Sequence, residues 1–149
     1  MTALDVAELL DRAADRLDQY GWWTGPGYYG PAEGPIFLFT PGSERPAWGS
    51  SHIVYAAGDD PTGEALYIAG RPIVSAALEE VATLLISRGA EPVEDRDGYV
   101  DAAGQLEAFE TLAGQNRDRV AALFRDSANS IRNRTQSTSV AAEARKEAA

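Results

Sequence analysis

The chain has no cysteine, one histidine, one methionine and a single lysine beside twelve arginines. Without cysteine, a disulfide framework, a thiol nucleophile and a thiolate metal site are all excluded. A lone histidine, His52, excludes a two-histidine metal site within one chain. Long apolar runs are missing as well, so no stretch approaches the length that crosses a bilayer. The opening MTALDVAELLDRAADRLDQ mixes charges with apolar residues, unlike a signal peptide. These absences fit a reducing cytoplasm, which is the expected location.

What is present describes one domain. A chain of 149 residues with 44% hydrophobic content buries a core without covalent staples. The net charge of −10 is uneven: residues 1–112 carry 19 acids and 6 bases, and residues 113–149 carry 4 acids and 7 bases. So acidic a body repels phosphate backbones, which argues against direct nucleic-acid binding. It reads either as a solvated surface or as an imitation of a polyanion.

Helical spacing dominates both ends. Val6, Leu9, Leu10, Ala13, Leu17 and Tyr20 form one stripe over residues 4–19, with acids opposite and Gly21 as a stop. Over residues 71–88, Pro72 opens a second helix whose stripe runs from Ile73 to Leu85. A third runs from Asn116 to Arg132 on Val120, Leu123, Phe124, Ser127 and Ile131, with a shorter helix at 102–112 before the Gly114 turn. Between 24 and 49, six glycines and five prolines argue against continuous regular structure. IFLF (36–39), HIVYAA (52–57) and ALYIA (65–69) are too short for periodicity to separate strand from helical turn. EPVEDRDGYVDAAG (91–104) reads as a loop with an Asp-Gly turn, and residues beyond Arg134 read as a mobile tail. The expected fold is therefore mainly α: a bundle of three to four amphipathic helices with an irregular or short-stranded insert at about 24–69. The domain is expected to span 1–134 and the tail 135–149.

Residues that could carry chemistry are sparse. WGSSH (48–52) is not a nucleophile elbow, so His52 reads as structural, with an acid–base enzyme as the rival. Glu79–Glu80 and Asp59–Asp60 are adjacent and point apart, and the acids of 94–101 lack calcium-loop spacing. GPGYYG (25–30) lacks the lysine and helix of a phosphate loop. No cofactor, metal or catalytic residue is expected.

Two features suit recognition instead. GWWTGPGYYG (21–30) gathers rings among glycines; with Tyr20 and Trp48 it holds six of the chain's thirteen aromatics. Such rings could stack on bases or sugars, which the acidic body opposes, cage a cation, or cap the open end of the helices. The lid is the expected main role, with an exposed ring of each pair left for a partner. Arg117, Arg125 and Arg132 lie on one flank of the third helix, where they either pair with acidic helices of the same domain or dock a partner. Trp22, Trp23, Tyr28, Tyr29, Arg117, Arg125 and Arg132 are thus the candidate partner-binding residues.

LLDRAADRLDQYGWWTG (9–25) and LEAFETLAGQNRDRVAALFRDSANSI (106–131) resemble a family of small actinobacterial and actinophage proteins grouped as a domain of unknown function. Gly21 and Trp22 match its Gly-Trp turn after an amphipathic helix. Near its end that family has a bulky aromatic residue, an Asn-containing turn and an Arg leading into a helix of spaced Val, Leu and Ala. Phe109, Asn116, Arg117, Val120, Leu123 and Ala128 match this loosely, since the family usually shows Trp-Asn-Asp there. The resemblance brings no catalytic residues. Together these readings predict a non-enzymatic accessory protein that acts through an unidentified protein partner or by self-association to a homo-oligomer. A polyanion-mimicking inhibitor is the alternative, and no membrane role is expected.

Overall fold

The computed structural model describes residues 1–31, 40–62 and 71–148. Within them the chain forms α1 (Ala3–Tyr20), a 3-10 turn (Gly42–Glu44), α2 (Gly49–Ala56), α3 (Pro72–Ser87), α4 (Ala102–Glu110) and α5 (Arg117–Ala148). The mainly helical reading holds, with five helices among the described residues rather than three or four. The IFLF and ALYIA runs lie outside the described residues.

Each long helix follows from its local signals. Thr2 caps α1 reciprocally: the Asp5 amide donates to Thr2 Oγ1 (3.2 Å) and the Thr2 amide to Asp5 Oδ2 (2.7 Å). The Gly21 amide closes the other end on the Leu17 carbonyl (2.9 Å). Pro72 opens α3, and Asp101 caps α4 through the Gly104 amide (3.1 Å). The apolar stripes of α1, α3 and α5 meet in one core around Leu9, Leu10, Leu17, Leu78, Leu106 and Phe124. The most extensive packing is α1 on α5, followed by α2 on α1 and α4 on α3.

Two points go beyond the sequence reading. Of the alternatives left open for HIVYAA, strand or helical turn, the structure shows the helical one, in α2. Ser51, His52, Ile53 and Val54 are consecutive and all buried, so the segment has no solvent side to alternate with. Trp48 holds the cap position but does not cap through its own side chain, and the acceptor for the Gly49 amide comes from α4 instead. The other point is α5, which continues past Arg134 to Ala148 with residues 136–148 exposed throughout.

Candidate functional site

The loop after α1 is stitched to the segment before α2. The Trp23 amide donates to the Ala47 carbonyl (3.2 Å), the Gly30 amide to the Pro46 carbonyl (2.6 Å), and the Ala47 amide to the Gly21 carbonyl (3.3 Å). Isolated bridges pair Ala47 with Trp22 and with Tyr29. Glycine is needed in this loop for close approach: a Cβ on Gly30 would lie 2.6 Å from Trp23 Cδ2, and one on Gly25 would overlap the same ring. The indole N–H groups are all engaged. Trp23 Nε1 donates to the Pro26 carbonyl (3.4 Å), Trp48 Nε1 to the Gly25 carbonyl (3.0 Å), and Trp22 Nε1 to Glu110 Oε1 (3.3 Å).

Two buried titratable groups lie beneath this loop. Glu110 Oε1 also accepts the Gly49 amide (2.5 Å), so an acid 61 positions along the chain caps α2. Oε2 is buried without a hydrogen-bond partner. Burial pushes the Glu110 pKa up to about 8; Glu107 adds to the rise, and the Gly49 and Trp22 donors oppose it. His52 Nε2 lies 2.8 Å from the Gly21 carbonyl, which only accepts, so Nε2 carries the proton. Burial lowers the His52 pKa to about 4, helped by the Arg16 charge. The imidazole is fully buried, and its Nδ1 has no partner. Arg16 itself lies between the Tyr20 and Tyr55 rings, 4.8 and 5.1 Å from their centroids, and donates to the Ser43 carbonyl.

A groove of about 530 Å³ opens between the end of α1 and the start of α5. It is lined by Gln19, Tyr20, Trp22, Glu44, Pro46 and Arg117. Of the seven sequence-predicted residues, Trp22 and Arg117 meet here. Trp23 is folded onto its own glycines, and Tyr29 is half-buried with the Arg45 guanidinium 5.3 Å from its centroid. Tyr28 is exposed and lies outside the groove. Arg125 pairs with Asp15 (3.1 Å) and Asp18 (2.5 Å), and Arg132 pairs with Asp11, all on α1. A second hollow of about 380 Å³, walled by Leu85, Pro92, Val93, Phe109 and Leu112, contains none of the predicted residues.

Sequence reasoning missed Glu44, Pro46 and, above all, Glu110. The signal for Glu110 existed: Gln105, Leu106, Phe109 and Glu110 share the inner spacing of α4.

The groove is bounded by the Gly-Trp turn and by the first residue of α5. Residues 1–130 match the family described as Family of unknown function (DUF6197). The chain belongs to that family. The DUF6197 match takes in every candidate residue except Arg132, which lies beyond residue 130. No curated protein and no solved structure matches the chain. Among the described residues, no cluster of three or more His, Asp or Glu side chains is placed to hold a metal ion, and no helix is long and apolar enough to cross a membrane.

Proposed function

We propose that this chain is a non-enzymatic accessory protein of an actinobacterial or phage-infected cytoplasm, acting by contact with another protein through the groove at Trp22 and Arg117. The observation that carries this reading is the meeting of an aromatic side chain and a half-exposed arginine in one open groove. Aromatic and arginine side chains are the residue types that anchor protein interfaces. The alternative of an enzyme working through His52 is poorly supported, because general acid–base work needs a group within reach of the substrate. That imidazole is sealed and bonded to a backbone carbonyl. The polyanion-mimic alternative needs unspent carboxylates, and Asp11, Asp15 and Asp18 are engaged by arginines of α5.

The test is affinity capture of the full chain from native host cells, with Arg117→Glu as the matched control, read by native mass spectrometry. A partner of fixed stoichiometry that is lost with Arg117→Glu supports the reading. Salt-sensitive displacement of DNA from a captured protein would favour the mimic instead.

A further inference from the structure

We infer that the groove takes a single carboxylate from a peptide segment of the partner, seated beside Trp22 and paired with Arg117. This deepens the protein-contact reading and rests on it. Of the six arginines of α5, three are tied to other helices. Arg125 and Arg132 are each paired with α1 carboxylates, and Arg134 holds Glu80 of α3 through both oxygens at 2.8 and 2.9 Å. Among the described residues, the ion pair recorded for Arg117 is with its chain neighbour Asp118, at 3.5 Å, and that side chain is 82% exposed. A loose pair in water contributes little and is readily exchanged for a better acceptor.

The register of α1 against α5 explains why Arg117 differs. Arg132 lies against Asp11, and Arg125 against Asp15 and Asp18, so the two helices run antiparallel. Eight residues before Arg125, Arg117 falls beyond the last acid of α1, beside Gln19, Tyr20 and Trp22. Arg117 therefore has no α1 carboxylate opposite it; Glu44 shares the groove, and Asp118 is its loose partner among the described residues. A planar guanidinium recognises a carboxylate through paired N–H donors.

The remaining walls narrow the ligand. Trp22 spends its N–H on Glu110 and offers the groove only hydrocarbon surface, which Pro46 extends. The Tyr20 ring is already covered by Arg16. An apolar neighbour of the incoming carboxylate would rest on Trp22 and Pro46. Glu44, which also lines the groove, repels a second carboxylate. The groove thus selects one acid within an apolar context and rejects an acidic run. At about 530 Å³ it has the volume of a small-ligand cleft, enough for a few side chains of an extended segment.

The experiment pans a random peptide library on the full-length chain, on Arg117→Glu and on Glu44→Lys. Both substitutions are at exposed side chains, so each variant is expected to keep its fold, checked by circular dichroism. Enriched peptides are titrated against the ¹⁵N signal of the Trp22 indole. The expected result is peptides with one Asp or Glu next to an aromatic or aliphatic residue, bound about tenfold or more weaker by Arg117→Glu. Glu44→Lys is expected to admit peptides with two adjacent acids. Peptides that lack a carboxylate, or that bind Arg117→Glu equally, would overturn the carboxylate assignment while leaving protein contact standing. A dimer in sedimentation that silences the indole shift would give the groove to a second copy and overturn it as well. No enriched peptide, together with no captured partner, would overturn both readings.

Discussion

At its N-terminal end α4 holds the α3–α4 loop with Gln105, and at its C-terminal end it holds the start of α2 with Glu110. Both side chains are 2% exposed, and both accept a backbone amide from a neighbouring segment. Gln105 Oε1 takes the Val93 amide (2.7 Å) while its Nε2 donates to the Glu91 carbonyl (2.9 Å). Glu110 takes the Gly49 amide and the Trp22 indole on one oxygen and leaves the other bare. The amide matches a donor and an acceptor and carries no charge at any pH. The carboxyl matches only donors, and burial makes its ionisation costly. One junction is therefore indifferent to protons, and the junction beneath the groove is not.

Exchanging the two chemistries tests this contrast most severely. Gln105→Glu would set an oxygen against the Glu91 carbonyl and is expected to cost about 3 kcal/mol at pH 8, much less at pH 5. Urea unfolding at the two pH values reads the difference, and a pH-independent loss would contradict it. Gly49→Ala attacks the other junction by volume: the new Cβ would overlap Glu110 Oε1 and lie 2.8 Å from Phe124 Cζ. Such overpacking is expected to cost roughly 2 to 3 kcal/mol, read as a lowered midpoint.

The native proton inventory gives the next effect. Folded Glu110 keeps its proton up to about pH 8, whereas the unfolded side chain releases it near 4.5. The folded state binds more protons in that window, so its stability falls as pH rises, by about 2 kcal/mol between pH 6.5 and 8. Glu110→Gln is expected to flatten that slope. His52 works in the opposite sense: its folded pKa of about 4 lies below the ordinary 6.5, so stability is lost as pH falls through that interval. The two windows overlap between pH 4.5 and 6.5, where the opposed slopes largely cancel, so denaturation curves from pH 4 to 9 should show a plateau there and a fall above it. The smallest effect belongs to the exposed pairs of α5, where Arg125→Ala and Arg132→Ala should each cost under about 1 kcal/mol, less in high salt.

The long helices were legible because α1 and α3 bury stripes several turns long, and periodicity identifies such stripes. α2 was not legible, since eight residues hold too little periodicity and its cap comes from Glu110, far along the chain. The candidate site was half legible. Composition pointed to Trp22 and Arg117, and helical spacing put Arg117, Arg125 and Arg132 on one flank. Which of them has a carboxylate opposite depends on where α1 stops, and that is a tertiary fact. Trp23 was misleading for a related reason: adjacent rings look alike in sequence, and only the fold turns one onto its own glycines.

From Gln136 onward α5 leaves the body and extends about 20 Å into solvent. Its backbone there has only its own ladder for support, whereas Val120 to Ile131 are locked into the core. One continuous rod thus supplies both extremes of amide deuteration: tip positions should exchange within moments and core positions only when the whole molecule opens. The protein carries its own ruler, so any ligand that slows the fast end has touched the rod itself.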